Sequence, residues 1–347
     1  MKRPASSRKA VPDKATCIYG AGVLLNHLDA LEQEVRGVSA GEPDIEYVHR
    51  ARVASRRLRA ALPLFTACLP EKKGKVWLKQ IRDITRALGT ARDLDVQIES
   101  VNAFAAALED PKSRPGMLRL RLRLTQQRAQ VQPVVMAAVQ KLDADQTIQA
   151  MREHLNKLNA QKDQVYLYTP GLYRHSFEAI QGRLQEFLAY RSIIFDPEKV
   201  TELHEMRIAA KRLRYTMETF APLYSSQLKP HLKAVRKIQE MLGDIHDCDL
   251  WQQLGEEFLS EERERIRAYF GHQRPFARLV RGIRAFEQDR RLAREAVYQE
   301  FIRAWQQWED EDIWGDLLRT IQVPFPRPDT IFPPLNQSEP PDPDPSG

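Results

Sequence analysis

Two segments of the chain carry phosphate-binding residue types at the same spacing. VHRARVASRRLRAALPLF (48–65) and LHEMRIAAKRLRYTMETF (203–220) share His49/His204, Arg52/Arg207, Ala54/Ala209, Arg57/Arg212, Leu58/Leu213, Arg59/Arg214 and Phe65/Phe220, and Arg56 is answered by Lys211. On a helix turning about 100° per residue, His49, Arg52, Arg56 and Arg59 fall within roughly 80° of one another. His204, Arg207, Lys211 and Arg214 repeat that row. Arginine forks take phosphate oxygens two at a time and lysine takes them as a point charge, so a mixed row suits a repeating polyanion without fixing its register. Four cations with few acids to answer them repel one another, a cost that an incoming polyanion removes. Arg57 and Arg212 stand about 80° off the rows.

A second duplicated pair follows, WLKQIRDITRALGTARDLDVQ (77–97) and LKAVRKIQEMLGDIHDCDLW (232–251). Lys75, Lys79, Arg82 and Arg86 line up at helical spacing, and Lys229, Lys233 and Arg236 match the first three, with Glu240 in the fourth place. Both copies continue Leu-Gly-x-x-x-Asp-x-Asp, giving Asp93/Asp247 and Asp95/Asp249. The Leu-Gly step reads as a helix break, after which the aspartates cap the next helix or orient Arg57 and Arg212 from behind. The histidines have two readings that stay open. One is a structural ring bonded to a backbone carbonyl. The other is a phosphate donor whose charge, held down by neighbouring arginines, returns as the anion approaches. His246-Asp247, with His204 and Asp249, has the residue types of a metal phosphohydrolase, yet the duplicate holds Arg92 and Asp93 there, and a cation in a ligand's place argues against a metal. No catalytic residue, metal ligand set or cofactor-binding motif is expected: the chain has no Gly-rich phosphate loop and no Ser-His-Asp set.

These rows need helices to hold them. CIYGAGVLLNHLDALEQEV repeats apolar residues at helical spacing, and in the first row Ala51, Ala54, Leu58, Leu62 and Phe65 collect opposite the cations. Pro63 should bend the first striped helix near Arg59, whereas the second has Glu218 there and stays straight. MLRLRLRL alternates like a strand, but its continuation to residue 160 has helical spacing and no partner strand is available, so helix is expected. Residues 251–318 read as helical, with Phe258, Phe270, Phe286, Phe301, Trp305 and Trp308 supplying core. The expected fold is all-α, and the duplication favours two similar halves packed together. Its span is 15–320, with halves at about 15–160 and 161–320. A basic N-terminus (1–14) and a Pro-rich tail (321–347) are expected to be disordered.

The 347 residues carry a net charge of +6, but 48–92 alone holds twelve Lys or Arg against Glu71 and Asp83, so the charge is focused. Cys17, Cys68 and Cys248 are odd in number, far apart and without CxxC spacing, which reads as reduced thiols in the cytoplasm. No run approaches 18 apolar residues, and no membrane partner is expected.

The two His-x-x-Arg-x-x-x-(Arg/Lys)-Arg-Leu-Arg segments and the two Leu-Gly-x-x-x-Asp-x-Asp segments resemble those of the CHAD domain, the conserved histidine α-helical domain. Pro63 and Glu240 depart from the symmetry of the pattern. The resemblance implies an all-α fold of two pseudo-twofold-related antiparallel helical bundles forming one compact unit, with basic helices lining a central basic groove. It also implies binding of inorganic polyphosphate and association with polyphosphate granules. Many members follow a CYTH triphosphatase domain, and this chain lacks that domain's Glu-x-Glu-x-Lys strand, so it reads as a stand-alone, non-catalytic module. The competing reading is a nucleic-acid binder, since the same rows would meet a phosphodiester backbone; against it, the cationic faces carry no interleaved aromatics for bases.

Overall fold

The computed structural model describes residues 13–39 and 46–322. The first half runs α1 (Lys14–Ser39), α2 (Glu46–Ala61), α3 (Glu71–Ala107), α4 (Arg114–Ala144) and α5 (Thr147–Asn159). The second runs α6 (Pro170–Leu188), α7 (Val200–Phe220), α8 (Lys229–Phe270), α9 (Ala277–Asp310) and α10 (Ile313–Ile321). Among the described residues there is no strand, and the five helices of each half follow in the same order, so the duplication extends well past the motifs. Even the punctuation repeats: a left-handed residue separates α4 from α5 (Gln146, φ 49°) and α9 from α10 (Asp312, φ 48°). Pro170 opens α6 at its first turn, where its missing N–H costs nothing, and Thr169 caps it by accepting from the Leu172 N–H at 3.2 Å. The expected disordered ends lie almost wholly outside the described residues.

Within a half, the chain zigzags so that α2 packs on α1 and α3, and α3 on α4; α7 and α8 repeat this with α6 and α9. The halves meet where α2 crosses α7 and α4 crosses α9. At the first crossing the duplicated Phe65 and Phe220 rings stand 5.9 Å apart. Tyr19 stacks on Phe220 at 6.1 Å, and its hydroxyl donates to the Thr219 carbonyl at 2.7 Å. Each fully buried ring contributes about 1.5–3 kcal/mol, so the last shared residue of the motif locks the halves together. At the second crossing, a Cβ on Gly116 would collide with the Leu279 carbonyl oxygen, and one on Gly282 with the Ser113 carbonyl oxygen. Each glycine meets the residue three before the other, which is the mark of a local twofold axis. The far ends of both long hairpins share a separate apolar core that includes Val101, Met117, Trp251, Phe258 and Phe286.

The stretch that alternates like a strand is helical, as its continuation requires, and forms the start of α4. Three expectations are corrected. Pro63 does not bend α2 but ends it: the α-helix stops at Ala61 and Leu62–Cys68 is a 3-10 segment, while α7 continues to Phe220. Cys17 and Cys68 are not separate thiols but a disulfide that ties α1 to that segment, leaving Cys248 as the buried free cysteine. The two sulfurs are 51 residues apart in sequence and come together only when α1 and α2 fold back on each other. Phe270 supplies no core; it is exposed at the end of α8.

Candidate phosphate-binding site

The α2–α7 crossing brings parts of the two rows into mutual electrostatic range. Burial lowers the affinity of Arg52 for its proton, and Arg56 of the same helix and Arg207 of the opposite half add to the effect. Arg207 is lowered first by burial, with Asp247 opposing and Arg56 reinforcing. Partial desolvation, then Arg56, Arg82 of α3 and Arg212 of α7, act likewise on Arg59. Cations from α2, α3 and α7 therefore feel one another across the axis. Arg52, Arg59 and Arg207 nevertheless keep their charge at neutral pH, because a guanidinium is not deprotonated in proteins.

The motif pair HxxR and LGxxxD has a direct geometric meaning. Gly89 and Asp93 lie one turn apart on α3, and Arg52 reaches from α2 across the glycine to donate to Asp93 at 3.1 Å. Gly243 likewise faces the guanidinium of Arg207, whose leading carboxylate neighbour is Asp247. The Leu-Gly step is thus no helix break: Gly89 and Gly243 are internal to α3 and α8, and the aspartates cap nothing. Nor do Asp93 and Asp247 orient Arg57 and Arg212; they serve the second residue of each row. Arg52 keeps an inner nitrogen, Nη1, without a hydrogen-bond partner among the described residues, and so does Arg207 at Nε.

Asp95 and Asp249 do something else. Asp95 accepts from Arg128 Nε of α4 at 2.7 Å, and Asp249 from Arg294 Nε of α9 at 2.5 Å. These paired contacts fasten each long hairpin across its two strands of helix, away from the rows. Sequence reasoning missed Arg128 and Arg294, although both sit at the matching place in the helix that follows each motif.

The rows are not equivalent cation for cation. Arg56 is buried and donates from Nη2 to the Tyr215 hydroxyl at 2.7 Å, across the axis, whereas its counterpart Lys211 is partly exposed. Arg214 is buried, with its guanidinium 4.9 Å from the Tyr215 ring centroid and its Nε 3.7 Å from Glu218, whereas its counterpart Arg59 is exposed. Tyr215, unremarked in the sequence because its duplicate is Ala60, is the pin that fixes these two arginines. Lys75, Lys79, Arg82 and Arg86 are exposed on α3, with Lys75 paired to Glu71 at 2.7 Å. Lys229 and Lys233 are exposed on α8 and Arg236 partly so. Where the second row should continue, Lys237 is paired to Glu300 at 2.8 Å, and burial with Glu240 nearby raises the Asp244 carboxyl. That end of the array is acid-bearing, so the cationic surface is richer in the first half. Arg57 turns from the row towards α1, where burial and its charge hold His27 down to about 4. Arg212 stays within range of Arg59.

His204 faces His246, Nδ1 to Nδ1 at 3.1 Å. Burial lowers His204, with Arg207 adding; burial, then His204 and Arg207, bring His246 to about 4. One ring donates and the other accepts, and because both are lowered below the ordinary 6.5 the pair is neutral at pH 7. His49 is partly buried at the matching place on α2. Among the described residues no three His, Cys, Asp or Glu side chains converge as a metal ligand set, and none of the helices is long and apolar enough to cross a membrane.

Known proteins share this architecture. The crystal structure of the CHAD domain from the plant Ricinus communis is similar over 88% of this chain and 95% of that one, with a TM-score of 0.60 at 24% identity. PptA from Streptomyces chartreusis is similar over 85% and 99%, with a TM-score of 0.52 at 16% identity. At such identities the likeness is one of fold. No curated protein matches the sequence. The family model of the CHAD domain matches residues 22–256, more than half of the chain and both copies of each motif, and the chain belongs to the CHAD domain family.

Proposed function

We propose that this protein binds inorganic polyphosphate, without catalysis, along the cations of α2, α3, α7 and α8, and that it does so on polyphosphate granules. The observation that carries the reading is that cations of the two halves come within electrostatic range: Arg52 and Arg56 of Arg207, and Arg59 of Arg212, with Arg82 also near Arg59. Folding brings like charges together at a cost, and a chain of phosphates is the ligand that turns that cost into affinity. Asp93 and Tyr215 hold two of the arginines in place, which reduces the entropy lost on binding. A base-free repeating anion also suits an array of unequal cations, since it can shift along them.

The test is titration of labelled long-chain polyphosphate into the protein and into Arg52→Glu/Arg207→Glu. With about 1.5–3 kcal/mol for each charge-assisted bond, the double variant should bind at least about a hundredfold more weakly, and wild-type affinity should fall steeply with salt. Unchanged binding by the double variant refutes the site. RNA or DNA whose binding is lost in the double variant, and which excess polyphosphate fails to displace from the wild type, would turn the reading to nucleic acid. Release of orthophosphate from polyphosphate with Mg²⁺ or Mn²⁺ would refute the absence of catalysis.

A further inference from the structure

The aromatics that the rows lack are gathered at the tip of the α8–α9 hairpin. Tyr269 is 83% exposed and Phe270 52%, on the last turn of α8 before Gly271, whose φ of 72° turns the chain. Their ring centroids are 4.8 Å apart at 78°, and the His272 ring lies 6.1 Å from that of Phe270 and nearly parallel to it, at 17°. Arg263, Arg267, Arg274 and Arg278 lie within eight residues of Phe270 along the chain, all exposed. The tip is held firmly from below: Phe276 is buried in the distal core, with the Arg263 guanidinium 4.9 Å from its ring centroid. The nearby Glu261 and Glu262 are engaged by Arg265, and Glu262 also by Arg119 and Arg123. Between residues 261 and 278 only Glu264 is left to oppose the arginines.

Two neighbouring rings stand in water beside exposed arginines that outnumber the carboxylates left to oppose them, a pairing that suits stacked bases and their phosphates. We propose that this tip is a binding site for single-stranded nucleic acid, in which bases stack on Tyr269 and Phe270 while phosphates meet Arg267, Arg274 and Arg278. Stacking on an exposed ring tolerates any base, so the site selects for unpaired strands and not for sequence. It is separate from the rows: from Asp247 to Phe270 the axis of α8 advances about 35 Å at ~1.5 Å per residue. It is also independent of the polyphosphate reading, because polyphosphate has no base to stack.

The experiment compares a short single-stranded oligoadenylate containing 2-aminopurine with an abasic strand of the same length and with polyphosphate, on the full chain, on Tyr269→Ala/Phe270→Ala and on Arg52→Glu/Arg207→Glu. Both tip residues are exposed, so the first variant should melt as wild type does. The expected result is quenching of 2-aminopurine on binding and loss of about tenfold or more in oligoadenylate affinity in the tip variant, with polyphosphate affinity unchanged there and lost in the row variant. Equal affinity for the abasic strand, an oligoadenylate loss confined to the row variant, or binding of the tip to anionic lipid vesicles in preference to oligoadenylate would each overturn the proposal.

Discussion

Of the two aspartates in each Leu-Gly-x-x-x-Asp-x-Asp segment, the geometry gives the first to the cationic row and the second to the framework, and a substitution at the second separates the roles. In Asp249→Ala, Arg294 remains at 12% side-chain exposure without the carboxylate, itself 15% exposed, that it contacted at 2.5 Å. Asp95→Ala leaves Arg128, 15% exposed, without a partner that was 10% exposed. Breaking one side of a buried pair costs about 3–5 kcal/mol. The lower end applies here, because Arg294 still donates to the Pro197 carbonyl at 2.8 Å and Arg128 to Gln132 at 2.8 Å. For a chain of this size about 3 kcal/mol corresponds to a fall of roughly 4 °C in Tm. The intact pair stabilises far less than its loss costs, since burial raises the Asp249 carboxyl despite the arginine. Asp249→Leu/Arg294→Met should therefore recover most of the stability lost in the single variant. Calorimetric melting measures all of this, and titration of polyphosphate below the melting range should give wild-type affinity in every variant. A loss below about 1 kcal/mol in both single variants, or a tenfold fall in affinity with Tm intact, would refute the division of labour.

The neutral His204–His246 pair and partly buried His27 make stability fall with acid: their folded-state values lie below the ordinary 6.5, with His246 and His27 both near 4, so stability is full above about 6.5 and drains away as pH drops towards 4. His246→Asn should flatten part of that curve, measured as Tm against pH, while polyphosphate affinity should rise over the same descent as the rings charge beside the anion. Gly282→Ala must push α9 off the Ser113 backbone, and a loss of about 2–3 kcal/mol in denaturant unfolding is expected, matched by Gly116→Ala at the symmetric contact. Cys17→Ser, or reduction of the wild type, frees a 51-residue loop and should cost about 4 kcal/mol of stability on loop-closure grounds.

What the sequence determined by itself is the inventory and its symmetry. The in-register repeats establish that the chain is all helical, that it is built from two related halves, and that His, Arg and Lys recur on one helix face, because helical periodicity and duplication are local and need no partner to be read. Tertiary structure decided how each charge is used. Arg56 and Lys211 look alike in the alignment, yet one is buried against Tyr215 and the other is not, because the duplicate of Tyr215 is Ala60 and the hydroxyl that holds Arg56 has no counterpart in the first half. Asp93 and Asp95 are two residues apart and indistinguishable by type, but on a helix two residues turn about 200°, which sends one to Arg52 and the other to Arg128. The Cys17–Cys68 bond, the glycine crossing of α4 and α9, and the exposure of Phe270 have the same origin: each depends on which helices pack together, and sequence spacing carries no record of that choice.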